Sequence, residues 1–351
     1  MTPGRDPRAV LRAFAIPDAT GECRRVRGGH INETWRVGPW LLQRLNPDVF
    51  PDATSVMENV LAVTRRIAER AGPRAGLRLV PTEDGRPWHA APDGSVWRLY
   101  AFLPGRSFEA PPSPAYAGSA AFAFGEFARC MTDPLLPLHT TMPGFHDSRR
   151  RLDALAAAAD RDLAGRAGEV QGEIDAILAE HELAAVIPEL LASGQLPLRV
   201  AHNDAKIANV IFETDSSAPL AVIDLDTTMP GSPLHDFGDL VRSMVSPAAE
   251  DAADADTVQV RHDYFAPIVR GFLAGTDGLL TSSERDMLLT AARSIALEQA
   301  ARFLADHLDG DRYYAVTFPA QNLARARTQL ALYRRLSAQR DRLEALIRDA
   351  A

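Results

Sequence analysis

The chain reads as an α+β protein in two lobes, a small β-rich N-terminal lobe and a large helical C-terminal one. Three observations predict this. Between residues 22 and 102, short β-patterned runs separated by turn signals flank one stretch with helical spacing. After Leu103-Pro104-Gly105 and a loop holding Pro111, Pro112 and Pro114, the pattern turns mostly helical and rich in Ala and Leu. Residues 285–308 and 322–349 then carry the spacing of long amphipathic helices.

In order, a short helix is expected over 7–15, ending near Pro17. Residues 22–45 follow as strands, with a turn at Arg27-Gly28-Gly29-His30, a strand over 31–37, a turn at Gly38-Pro39 and a strand over 40–45. Val56, Val60, Val63 and Ile67 fall on one face of a helix over 54–70. Two more strands are expected over 77–81 and 96–102, with Asp84-Gly85 and Asp93-Gly94 as turns. In the helical part, a proline-bounded stretch near 132–146 and a motif region over 198–240 interrupt the helices. The reading divides the chain into 1–103, a nucleotide-binding lobe, and 104–351, a helical lobe with the catalytic loop and acceptor site.

With 351 residues the chain is too long for one small core. Its 46% hydrophobic and 24% charged residues describe an ordinary globular protein. A net charge of −8 argues against a nucleic-acid partner, which needs a concentrated basic face. Two cysteines, Cys23 and Cys130, are too few for a disulfide framework and form no metal motif, so both read as reduced packing residues. Arg5 and Arg8 are followed by no apolar run, unlike a signal peptide, and no stretch approaches the roughly 18 apolar residues that span a bilayer. The expectation is a cytoplasmic protein with no membrane partner. The oligomeric state is not legible.

The chemistry concentrates in His202-Asn203-Asp204-Ala205-Lys206-Ile207-Ala208-Asn209 and Val222-Ile223-Asp224-Leu225-Asp226. Phosphoryl transfer needs in-line positioning, charge neutralisation and a group to receive the hydroxyl proton. Asp204 suits the last role and would touch the acceptor. Lys206 suits a phosphate oxygen. Asn209 and Asp224 offer oxygens to a hard magnesium ion. Residues 210–212, a polar turn and residues 220–223 form a hairpin that returns Asp224 to the Asp204 loop. Asp226 would share a face with Asp224 on a continuing strand, either on the metal or behind it. An Asp alone in a loop is usually a turn former or cap; the joint pattern is what points to a kinase-type site.

His202 reads as a structural anchor of the loop. Asp236-Phe237-Gly238-Asp239 looks like the DFG metal signature, but Asp224 already fills that place. Asp236 and Asp239 read instead as braces at a helix start, with Arg242 pairing a neighbouring acid. In the small lobe, Gly28 and Gly29 allow a turn over phosphates. The strand Trp40-Leu41-Leu42-Gln43-Arg44-Leu45 lacks the lysine expected on the α- and β-phosphates. Gln43 or Arg44 must serve, with Glu58 available to hold Arg44. Alternation forbids both from facing the cleft, and the sequence does not choose.

Through HNDAKIANVIF (202–212) and AVIDLDTTMPGSPLHDFGDLVRS (221–243), the chain resembles the aminoglycoside phosphotransferase-like kinase superfamily. GGHINETWRV, LLQRLNPDVF with SVMENV, VWRLYAFLPG and ARFLADHLDGDRYYAV narrow the resemblance to the N-acetylhexosamine 1-kinases. It runs from about residue 27 to 330. The resemblance implies a two-lobed protein-kinase-like fold, ATP and magnesium as cofactors, and phosphorylation of a sugar at its anomeric hydroxyl. It also places Arg302 and Tyr313, with Tyr314 as neighbour, against the sugar, and the adenine against the Arg98–Leu103 crossover, Tyr100 and Phe102 included, with hydrogen bonds from its backbone. The family often has Thr at Ala205 and Asn at Ala208, which leaves the acceptor open. The alternatives are a kinase of an amino alcohol or aminoglycoside, a metal-dependent hydrolase using His202, Asp204, Asp224 and His235, and an inactive binding protein of kinase fold.

Overall fold

The structure is a computed structural model, and it describes residues 6–17, 22–26, 31–72, 76–132 and 135–350. Asp6 caps a short first helix, α1 (Pro7–Leu11), by accepting the Arg8 N–H. The helix is shorter than expected because Phe14 leaves it to bridge Thr82. Three strands follow: β1 (Cys23–Arg25), β2 (Glu33–Val37) and β3 (Trp40–Arg44). Gly38, at φ +53°, makes the tight turn between β2 and β3. The helix α2 (Ala53–Ala71) is capped by Asp52 and buries Val56, Val60 and Val63, as its spacing predicts. The strands β4 (His89–Ala90) and β5 (Val96–Ala101) complete an antiparallel sheet of order β1-β2-β3-β5-β4.

The expected strand over 77–81 is not a strand. Leu79 only bridges Tyr100, while β4 pairs with the other end of β5. Two short segments thus share one sheet edge, and Pro81 has no N–H to extend the first. Alternation along the sheet gives it two different faces. Val37, Leu42, Trp97 and Leu99 pack outward against Val10, Leu11 and Phe14. Gln43, Arg98 and Tyr100 face the other way, toward the second lobe.

The crossover after β5 passes close to the second lobe. Arg106 bridges Phe212, and a Cβ on Gly105 would lie 2.5 Å from the Phe212 carbonyl oxygen, so only glycine fits. The helical lobe then runs α3 (Pro114–Cys130), α4 (Ser148–Arg161), α5 (Gln171–Leu178), α6 (His181–Ala192), β6 (Arg199–Ala201), β7 (Val210–Phe212), β8 (Pro219–Val222), β9 (Met229–Gly231), α7 (Pro233–Met244), α8 (His262–Thr276), α9 (Ser282–Asp286), α10 (Leu288–Leu308), α11 (Gln321–Ala338) and α12 (Arg340–Ala350). The strands β7 and β8 form the expected hairpin, and β6 pairs with β9.

At the centre lies α10, packed by α4, α7 and α11. It is not the amphipathic helix expected: the consecutive Ile295, Ala296 and Leu297 are all 0% exposed, which one face cannot provide. The single helix expected over 322–349 is two, broken at Gln339, whose side chain meets His262 at 2.7 Å. The helices α3 and α8 approach through glycines. A Cβ on Gly271 would lie 2.1 Å from the Gly118 carbonyl oxygen, and one on Gly275 2.3 Å from that of Phe122. Among the described residues, no helix is long and apolar enough to cross a membrane. The architecture is the predicted one, a small antiparallel-sheet lobe with a large helical lobe.

Candidate active site

A cavity of about 750 Å³ lies between the lobes. Gln43, Arg98, Tyr100 and Phe102 line it from the sheet side, and Asp204, Lys206, Asn209 and Asp224 from the helical side. These last four come from the loop between β6 and β7 and from the end of β8.

The loop is held from below. Asp236, in the first turn of α7, accepts the N–H of His202 at 2.8 Å and of Asn203 at 2.7 Å. Burial pushes the Asp236 carboxyl up to about 7, against the pull of those two donors. Asn203 is left-handed at φ +64°, a turn that Asn tolerates and that aims Asp204 at the cavity. His202 is buried with its ring edge-on to Phe124 and Phe127. Its Nε2 lies 2.9 Å from the Ile223 carbonyl oxygen, just before Asp224. Burial lowers its pKa to about 4, so the ring is neutral and donates to that carbonyl. Asp239 accepts from Arg242 Nε at 2.6 Å and acts on the loop only through its charge; Arg242 also reaches Glu250 at 2.7 Å and lines the cavity.

Within the cavity, Asp204 Oδ2 receives Lys206 Nζ at 2.9 Å and Asn209 Nδ2 at 2.9 Å. Burial opposes the Asp204 charge, but Lys206 outweighs it and holds the carboxyl below its usual range. The amide of Asn209 spends its nitrogen on Asp204, on the side chain and on the backbone carbonyl at 2.8 Å. Its Oδ1 has no protein partner among the described residues. The Ile223 N–H donates to the Asn209 carbonyl at 2.9 Å, so hairpin and loop are joined beside both side chains.

Asp224, itself at φ +61°, presents an open carboxylate with no partner among the described residues. It is accessible to solvent, yet surrounded by cavity walls. Desolvation by those walls, then the charges of Asp226 and Asp204, raise its pKa to about 7. A carboxylate so placed favours a cation. With the Asn209 oxygen it gives a neutral and a charged oxygen donor, a set that fits a hard divalent ion.

On a continuing strand Asp226 would share a face with Asp224. Instead the left-handed turn and a 3-10 turn, Leu225–Thr227, send Asp226 inward, 3% exposed, to Arg98 and Asn32. In the sheet, Gln43 faces the cavity and Arg44 does not; Arg44 Nη1 meets Glu33 at 3.0 Å. The expected Arg44–Glu58 contact is absent, since Glu58 pairs with His139 at 2.8 Å. Gly28 and Gly29 lie outside the described residues.

Arg302, Tyr313 and Tyr314 do not line this cavity. Arg302 lies 5.3 Å from the Phe145 ring centroid and 5.7 Å from that of Tyr314, with Glu298 at 3.9 Å. Tyr313 is 61% exposed, and the Tyr314 hydroxyl is buried without a partner. They connect to the site indirectly. Glu298 holds His146 Nδ1 at 3.0 Å, and His146 Nε2 meets the Asn203 carbonyl oxygen at 3.0 Å.

The side chains a metal-dependent hydrolase would need are not gathered. His202 is spent on Ile223, and His235 is buried against the His146 ring. Among the described residues, no group of three or more His, Cys, Asp or Glu is placed to hold a metal.

Sequence reasoning missed Arg98, seeing its segment only as backbone for adenine. The signal was there: one arginine in the apolar run Val96–Ala101, at the position that alternation puts opposite Gln43. It also missed His146 and Glu298, for which a lone buried Glu in a helix is the only cue.

A model of the phosphotransferase enzyme family matches residues 22–272. Among solved structures, the chain is similar to a choline/ethanolamine kinase family protein from Mesorhizobium loti, at 17% identity and a TM-score of 0.58, covering 95% of this chain and 96% of that one. It is similar to a microcompartment-associated aminopropanol kinase at 14% identity and a TM-score of 0.62, covering 96% and 97%. An amicoumacin kinase in complex with AMP-PNP and Ca²⁺ matches at 12% identity and a TM-score of 0.58, covering 92% and 90%. At these identities the likeness is one of fold.

Proposed function

The chain belongs to the phosphotransferase enzyme family, and on that premise we propose that it transfers the γ-phosphoryl group of ATP to a sugar hydroxyl. The observation that carries this reading is the Asp204 carboxylate, set in the cavity wall within one loop of Asn209 and beside Asp224. In this reading Asn209 and Asp224 hold magnesium, which when bound neutralises phosphate charge.

Asp204 is a weak base, since Lys206 holds its pKa down. That suits a loose transition state, in which the hydroxyl needs orientation more than early deprotonation. Asp204 accepts the hydroxyl hydrogen bond, aims the oxygen at the phosphorus and receives the proton as the new bond forms. Lys206, anchored on Asp204, can follow the developing charge with its remaining donors. The sheet face with Gln43, Tyr100 and Phe102 takes the nucleotide.

A neutral polyol suits the wall of the cavity that carries Arg242. There the Glu250 carboxylate is taken by Arg242, which also holds the buried Asp239. Ser243, Ser246 and Gln329 add neutral donors and acceptors to the same wall. The anomeric hydroxyl of an N-acetylhexosamine or related hexose is the finer reading, and it rests on the sequence resemblance alone. There Arg302, on α10, and Tyr313 or its neighbour Tyr314 would meet the sugar, and the unpartnered Tyr314 hydroxyl is what supports a ligand for them.

The test is a panel of hexoses, N-acetylhexosamines, amino alcohols and aminoglycosides with ATP and magnesium, with the phosphate located by NMR. Turnover of a hexose is expected. Turnover only of amines would replace the acceptor class, and phosphate on a non-anomeric oxygen would remove the 1-kinase reading. ATP hydrolysis independent of any acceptor would remove both.

A further inference from the structure

The cation that the nucleotide side lacks on β3 is present one strand away. Gln43 and Arg98 are register partners on β3 and β5, on the same sheet face. Arg98 Nε donates to Gln43 Oε1 at 2.9 Å. Both terminal nitrogens of Arg98 then go to Asp226, Nη1 to one oxygen and Nη2 to the other at 3.0 Å. Asn32 Nδ2 adds a bond to the second oxygen at 2.6 Å, and Asn32 Oδ1 takes the Asn46 N–H at 3.0 Å. Both oxygens of Asp226 are therefore filled, while Asp224, two residues earlier, stays open.

Stability alone does not account for this pair. Arg98 is 1% exposed and Asp226 3%. A buried ion pair is commonly no better for stability than apolar residues of the same volume. The pair also sits in the cavity wall and not in the remote core, because Arg98 lines the cavity with Gln43 and Asp224. Burial opposes its charge, but Asp226 outweighs that cost, so the guanidinium remains charged.

We propose that Arg98 is a positioning residue for phosphoryl transfer, which neutralises Asp226 from β5 and, by occupying both of its oxygens, leaves Asp224 as the carboxylate of the two that is open to the divalent cation. This rests on the phosphotransfer reading above. Three consequences follow from the geometry. The planar fork matches a carboxylate where a lysine would leave one oxygen free. The charge offsets one of two neighbouring carboxylates, so the pair carries a net charge suited to one metal–nucleotide complex. The contact spans the lobes, so it fixes how far Gln43 stands from Asp224.

The experiment is calorimetric titration of the whole protein with ADP and magnesium, together with steady-state kinetics. The main variant is the double substitution Arg98→Met with Asp226→Leu, which removes both buried charges at once and leaves neither unpaired. It is expected to fold with wild-type thermal stability or better, to bind MgADP about 10–100-fold more weakly, and to lose turnover by a similar factor. KM for the acceptor should stay within about twofold. Arg98→Lys keeps the charge but loses the fork, and should fall between wild type and the double variant. A folded double variant with MgADP affinity and turnover within about twofold of wild type overturns the inference and leaves the pair a structural staple. Should the double variant not fold, Arg98→Lys decides: unchanged affinity and unchanged magnesium requirement overturn the inference. Wild-type protein that binds no MgADP would instead sink the phosphotransfer reading itself.

Discussion

Replacing Asp236 tests how the Asp204 loop is held. Its two oxygens accept the N–H groups of His202 and Asn203 at 2.8 and 2.7 Å, and the side chain is 0% exposed. Asp236→Ala leaves two buried donors without partners. Each such donor costs about 1–3 kcal/mol, so the pair costs about 2–6 kcal/mol. The left-handed turn at Asn203 loses its anchor at the same time. Asp236→Asn retains one oxygen and sets its NH₂ against the second N–H, orphaning one donor for about 1–3 kcal/mol, less what is regained by removing a buried charge. Urea denaturation followed by tryptophan fluorescence and by activity should rank wild type above Asn and Asn above Ala. Turnover of the Ala variant, measured where it is still folded, should fall further than that of Asn, because Asp204 is aimed by the same turn. An Ala variant within about 0.5 kcal/mol of wild type, the range of ordinary surface changes, would refute the reasoning.

Gly271→Ala places a methyl group 2.1 Å from the Gly118 carbonyl oxygen, so the helices must separate. The overpacking cost of about 1–3 kcal/mol exceeds the roughly 1 kcal/mol of helix propensity gained. Gly172→Ala on α5 meets nothing within 4 Å and should be neutral or stabilising; equal effects of the two in a thermal melt would contradict the packing account. A third expectation concerns pH. Burial works against the Glu298 charge, but His146 and Arg302 outweigh it and hold its carboxyl near about 2; burial likewise works against His146, which Glu298 raises. The Glu298 contribution is whole above its unfolded pKa of about 4.3 and is lost as pH falls toward its folded value. The His146 contribution is whole below about 6.5 and is lost as pH rises through its raised pKa. Glu298→Gln should therefore flatten the stability profile on both limbs, and profiles parallel to wild type would count against the pair.

The fold class was legible because strand alternation and the break after Gly105 are coarse, redundant signals. The helix α2 was legible for the same reason, through Val56, Val60 and Val63. Boundaries were less so. Residues 77–81 carry β-pattern yet only bridge Tyr100, because the edge they would occupy is shared with β4. The break at Gln339 has no glycine or proline to announce it. In the candidate site, the hairpin that returns Asp224 to the Asp204 loop was legible because its spacing is local. The partners that hold them are not local. Arg98 meets Asp226 from 128 positions away, and His146 meets Glu298 from 152. Glu58 went to His139 and not to Arg44 for the same reason: one strand's facing decides it, and a sequence does not fix that facing until its sheet partners are known.

The separation of Arg98 from Asp226 also bears on how the molecule is made. A ribosome adding about 5–20 residues per second needs roughly 6–26 s to produce the stretch between them. Throughout that interval the nascent sheet can close its outer face, where Trp97 and Leu99 meet Val10, Leu11 and Phe14. Its inner face carries the Arg98 guanidinium, with Met57 of α2 against it but no counter-charge yet. The first lobe is thus born half finished on the side that later faces the cavity. Completion waits for Asp226, just past the hairpin of the second lobe, so the inner face of the sheet gains its counter-charge late in assembly.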